Sequence, residues 1–141
     1  MLLKVSNNFH LEEFVSKETF DYFGANSLRF IAPEIIEIAQ YLRDWFGKPM
    51  TINNWINGGK FKWRGFRTPG CGVGAELSSH KRGMAIDFNF GALESEYVFN
   101  VIVDPKNKFF SKGITTIEKN TIGWTHISCE RWWGQKEIIK I

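Results

Sequence analysis

Residues 78–90 read SSHKRGMAIDFNF, and this stretch decides how the chain is to be understood. From Met84 onward it alternates as a strand does: Ala85, Asp87 and Asn89 share one face, Ile86, Phe88 and Phe90 the other. A carboxylate in the middle of such a strand needs a partner. His80, one of three histidines, lies seven residues earlier, at the end of a loop. Gly83 between them lets the backbone turn back, so that both side chains can reach one point. His80 and Asp87 are therefore candidates for two of the three protein ligands of a catalytic zinc. A plain histidine–aspartate hydrogen bond is the simpler alternative.

Such an ion needs three protein ligands and one position left open for water. Two histidines and one carboxylate keep the centre net positive, which lowers the pKa of bound water toward ~7. The third ligand is expected from a neighbouring strand, where GWTHIS offers His126 on the same face as Trp124 and Ser128. A half-buried strand histidine is the alternative there. His10, among N-terminal polar residues, reads as a surface residue.

Around this stretch the chain reads as one domain, residues 1–141. Its 141 residues suffice for a core without staples. A hydrophobic share of 43% and an aromatic share of 16% argue against disorder. A net charge of +3 is too mild to indicate nucleic acid. Cys71 and Cys129 read as free thiols, with a single bridge as the alternative, and a C-x-x-C metal site is excluded. The N-terminus MLLKVSNNFHLEEF lacks the apolar run of a signal peptide, and no later segment is long enough for a membrane span. The expectation is a soluble cytoplasmic product, a monomer with no membrane insertion.

Asn8 is a possible N-cap of a short N-terminal turn. In APEIIEIAQYLRDWFG, Ile35, Ala39, Leu42 and Phe46 form a helical stripe that starts after Pro33 and stops at Gly47. PMTINNWI reads as a strand and LESEYVFNVIV as a second helix ended by Pro105. ITTIEK and IGWTHISC read as antiparallel strands joined around Asn120. Residues 57–77, with six glycines, read as a long functional surface loop. The fold class is α+β: a small domain with a central antiparallel sheet flanked by helices.

Ser78, His80, Gly83, Ala85 and Asp87 fill every fixed position of S-x-H-x-x-G-x-A-x-D, and a W-x-H follows at Trp124 and His126. With NFHLEEF, LRDWFGKPMTIN and GFR, the pattern resembles the zinc D-Ala-D-Ala carboxypeptidase family of peptidoglycan peptidases, in its short phage-type or bacterial members. The resemblance covers most of the chain and implies a hedgehog/DD-peptidase-like fold, with one Zn2+ held by His80, Asp87 and His126. It makes Arg67 of GFR the substrate anchor, a task suited to a planar guanidinium fork, and Ser78 a residue that orients a ligand or touches substrate. The alternative for Arg67 is a solvated loop cation. The implied activity is hydrolysis of amide bonds in peptidoglycan stem peptides or crosslinks, at the cell wall or periplasm, as in phage lysis.

The chain departs from this family twice. Gly123 stands where many relatives carry the acidic general base, and Ser128 where some carry aspartate. Glu118 on the preceding strand is then the candidate base, with Glu130 the weaker choice. Trp124, Trp63 and Phe66 are candidates to line the cleft. A zinc-containing cell-wall binding module without catalysis is the second reading. The third takes GGKFKWRGFR, four basic and three aromatic residues without an acid, as a nucleic-acid surface; a cationic cleft also suits anionic cell-wall polymers.

Overall fold

In the computed structural model, which describes residues 2–141, the stripe of PEIIEIAQYLRDWF becomes the main helix against the core. This helix is the second of three: α1 spans Lys17–Phe23, α2 Pro33–Phe46 and α3 Ser95–Val103. Pro33 occupies the first turn of α2, and Gly47 ends it in the left-handed region at φ 64°. Ile35, Ile38, Ala39 and Leu42 are almost wholly excluded from solvent and join one core cluster with Phe9, Phe14, Ile52, Phe88 and Ile127. Each fully buried Ile, Leu or Phe contributes about 1.5–3 kcal/mol, so this cluster carries the stability of the fold.

The five strands are β1 (Met50–Thr51), β2 (Ala85–Phe90), β3 (Thr116–Ile117), β4 (Thr125–Ser128) and β5 (Ile139–Lys140), in the order β1-β2-β4-β3-β5. The α+β class is as expected, but the sheet is mixed, not antiparallel. β5 runs parallel to β3, with Thr116 opposite Ile139. The reason is topological. β4 leaves the sheet at Ser128, beside the start of β3 at Thr116. A tail that turns back at that end and takes the free edge of β3 must run parallel to it.

Other expectations are corrected in detail. His10, not Asn8, precedes the first turn, Leu11–Glu13, and Glu13 accepts the His10 N–H at 2.8 Å. Asn8 is held instead by Gln40 on α2. Helix α1 was not legible from periodicity; its start is Ser16, whose hydroxyl accepts the Thr19 N–H at 3.1 Å. Asn120 turns the β3–β4 connection at φ 62°, and both cysteines are free thiols.

The stretch 57–77 is not simply a surface loop. Its middle, Gly65, Phe66 and Arg67, is buried. It runs along the edge of β2 beyond β1, by Asp87 N–H to the Arg64 carbonyl (2.8 Å), and is tied to the rest of the fold by Phe66 N–H to the Phe14 carbonyl (2.7 Å) and Arg67 N–H to the His80 carbonyl (3.0 Å). From that edge the Arg67 side chain reaches the Asp87 carboxylate.

Gly83 is the tightest hinge in this arrangement. It sits at φ 67°, and a Cβ added there would lie 1.9 Å from the Phe30 carbonyl oxygen. Gly83→Ala is expected to cost about 2–3 kcal/mol in chemical denaturation; an unchanged midpoint would contradict the strained turn.

Candidate metal centre

The turn that carries His80 is built from its flanks. Ser78 caps it, its hydroxyl accepting the His80 N–H at 3.2 Å, and the short helical turn Ser79–Arg82 ends at Gly83 in the left-handed region. β2 then begins at Ala85, which pairs with Ser128 across the sheet and is buried. Two residues on, Asp87 stands opposite His126. Directly opposite residues of antiparallel strands project to the same face with Cβ atoms about 4.5–5.5 Å apart. Asp87 and His126 thus meet by register, and the turn delivers His80 to them.

Three ligand-type atoms converge. Asp87 Oδ1 lies 2.7 Å from His126 Nδ1 and 3.2 Å from His80 Nε2, and the two histidine nitrogens are 3.2 Å apart. A four-coordinate ion with bonds of about 2.0–2.1 Å holds its ligand atoms about 3.3 Å from each other. The spacing fits one metal ion, with a small outward shift of the Asp87–His126 contact.

The proton inventory points the same way. His80 Nδ1 lies 2.8 Å from the Gly65 carbonyl oxygen. A carbonyl only accepts, so Nδ1 carries the proton, and in neutral imidazole Nε2 is then a bare lone pair. That lone pair faces a carboxylate oxygen and a second imidazole nitrogen. Such a knot of acceptors needs a cation or extra protons, and a divalent metal supplies the former. The Gly65 contact also fixes the ring orientation, as is usual for metal-bound histidines. Gly65 has to be glycine: a Cβ there would lie 2.2 Å from the Phe14 carbonyl oxygen.

Asp87 divides its oxygens. Oδ1 faces the histidines, while Oδ2 accepts from Arg67 Nη2 at 3.2 Å. Burial pushes this carboxyl upward, but in the metal-free chain with both imidazoles protonated, hydrogen bonds from His126 and His80 and their charges outweigh it, so its pKa falls well below the ordinary 3.8. The sign follows: the stability this group contributes is full above that value and is lost as pH falls below it.

Arg67 is not a solvated loop cation. It is 8% exposed, with Nε donating to the Trp63 carbonyl at 2.7 Å, and it presses on Gly74, where a Cβ would lie 2.5 Å from Nη1. Arg67, Ser78, Glu118 and Trp124 all line one cleft of about 560 Å³ together with the three ligands. Glu118 follows β3 directly, and its N–H donates to the His126 carbonyl at 3.1 Å. It extends the row Asp87–His126 by one strand.

Glu130 is bound to Arg82 and does not line this cleft. Gly123 has φ 83° and lines a different cleft beside Glu94 and Ser95. His10 sits with Glu13 at the N-terminal turn, 3.6 Å apart.

One further cleft residue, Thr116, went unread in the sequence. Its Oγ1 lies 2.6 Å from Ser128 Oγ, both buried, one step along the same face. Strand alternation from Glu118 points to it. The Gly65 carbonyl had no sequence signal beyond glycine itself.

Comparisons with protein-family models, with curated proteins and with solved structures each find no match. The geometry therefore stands on its own chemistry.

His80→Ala, Asp87→Ala and His126→Ala are each expected to lose stoichiometric metal in elemental analysis, while Glu130→Ala retains it. Full metal in any of the three would refute that ligand.

Proposed function

We propose that the chain is a zinc-dependent hydrolase of amide bonds in peptidoglycan stem peptides or crosslinks, with one Zn2+ at His80, Asp87 and His126. The observation that carries this reading is the convergence of His80 Nε2, His126 Nδ1 and Asp87 Oδ1, with His80 locked to the Gly65 carbonyl. Two neutral imidazoles and one carboxylate are a borderline set that suits zinc and leaves a coordination position open. The resemblance of Ser78–Asp87 to the zinc D-Ala-D-Ala carboxypeptidases supplies the substrate class and the hedgehog/DD-peptidase-like fold as parts of the same proposal. A monomer acting at the cell wall or periplasm completes it.

When bound, the zinc ion polarises the amide carbonyl and provides an acidified water. The chain's own residues do the rest. Arg67 holds Asp87 in place through Oδ2 and turns its remaining donor capacity toward the cleft, where a substrate carbonyl or carboxylate can accept. Glu118, half-buried in the cleft wall, takes a proton from the attacking water and returns it to the leaving amine. Trp124 gives the cleft an apolar side. Ser78 acts through the His80 turn that it caps, and so positions a ligand.

A second reading has a specific observation behind it. Gly123 and Ser128 replace the carboxylates expected near the last histidine, so the chain would keep zinc and bind cell-wall peptide without cutting it. Glu118 decides between the two. Glu118→Gln is expected to retain zinc and lower kcat by roughly 10²–10⁴-fold on purified muropeptides; an unchanged rate removes Glu118 as the base. Chelation is expected to abolish hydrolysis, and activity surviving complete metal removal would overturn the metallopeptidase reading.

A further inference from the structure

The basic-aromatic stretch GGKFKWRGFR is not used up by the metal centre. Its end, Arg67, belongs to the metal cleft, but Lys60–Arg64 border a second cleft of about 340 Å³. Arg67, Asp87 and Trp124 line both clefts, so the two adjoin at Asp87. Their chemistry differs. The first cleft is bordered by Val73, Leu77, Trp132 and Ile141, all with exposed apolar surface. The second carries Lys60, Lys62 and Arg64 between Phe61 and Trp63, and the one carboxylate in its lining is Asp87, already held by Arg67.

These cations are set in place. Buried Asn53 accepts the Arg64 N–H at 2.9 Å and donates to the Val15 carbonyl at 2.9 Å, while Asn54 accepts the Phe61 N–H at 2.9 Å. Each cation lies over a ring: Arg64 at 3.5 Å and Lys60 at 5.6 Å from the Phe61 centroid, and Lys62 at 5.2 Å from that of Trp63. Among the described residues, neither Lys60 nor Arg64 forms an ion pair. Arg64 bonds a neutral amide, Asn89, and burial pulls its pKa down against the pull of Asp87. Lys62 meets Glu18 at 3.0 Å, but both side chains are largely open to solvent, 41% and 59%, and such pairs exchange readily. The second cleft thus carries three cations, of which Lys60 and Arg64 have no carboxylate partner among the described residues.

We propose that Lys60, Lys62 and Arg64 form an anion subsite that takes a free carboxylate of the substrate peptide. This rests on the hydrolase reading above, because a cleft that adjoins the candidate metal centre at Arg67 and Asp87 makes the anion part of the molecule being cut. A carboxylate fits better than a nucleic-acid backbone. The site is short and holds three cations beside the metal centre, whereas phosphate-backbone binding uses an extended basic stripe.

The test uses the zinc-loaded full chain and two synthetic stem peptides, alike except that the α-carboxyl of the glutamate is free in one and amidated in the other. Cleavage and calorimetric affinity are measured for both. The free acid is expected to bind roughly tenfold more tightly, as a charge-assisted contact would make it. In Lys60→Gln/Lys62→Gln, with one zinc still bound, that preference is expected to shrink toward parity, and high salt should weaken it in the parent chain. Equal affinity for the two peptides would overturn the subsite, even if both are cleaved and hydrolysis stands. Acid preference without cleavage would keep the subsite and overturn the hydrolase reading. Failure to bind either peptide, or steeply salt-dependent duplex DNA binding lost in the double variant, would also overturn the subsite.

Discussion

Asp87 stands opposite His126 because β2 and β4 pair in one register over Ala85–Phe88 and Thr125–Ser128. A slip of one residue would turn Ile86 and Ile127 out of the core and bury the charged pair in their place. The apolar faces of the two strands, wholly buried at Ile86, Phe88 and Ile127, therefore enforce the register that brings carboxylate and imidazole together. Core packing and site assembly are the same constraint seen from opposite sides of one sheet.

The second support is the segment along the edge of β2. Gly65 comes close enough to the Phe14 backbone to exclude any side chain, and its carbonyl sets the tautomer of His80. Arg67, two residues further on, holds the far oxygen of Asp87. A stretch of irregular backbone thus fixes two ligands by direct contacts, while the β2–β4 register fixes the third. This division suits a centre that must be rigid on the protein side and open on the other.

Most of the ligand set was legible in the sequence because each element has a local cause. Ser78 caps, Gly83 turns, Ala85 is small enough to lie buried beside Ser128, and Asp87 falls on the strand face by alternation. Helix α2 was equally legible from its stripe and its Gly47 stop. What stayed hidden depends on contacts distant in sequence. The parallel placement of β5 needs the free edge of β3, which a tail reading EIIKI does not announce. The segment 57–77 had no periodicity to reveal its buried middle, and Arg67 read either as an anchor or as a solvated cation until its bonds to Trp63 and Asp87 placed it. Helix α1 is a short segment held by the Ser16 cap, too brief for a stripe to show.

X-ray absorption at the zinc edge of the loaded protein tests most directly whether one metal ion is held by two imidazoles and a carboxylate. A first shell of nitrogen and oxygen at about 2.0–2.1 Å is expected, with the outer-shell scattering of two imidazole rings and no sulfur. A sulfur ligand, a shell of oxygen alone, or no zinc retained after dialysis would contradict that ligand set.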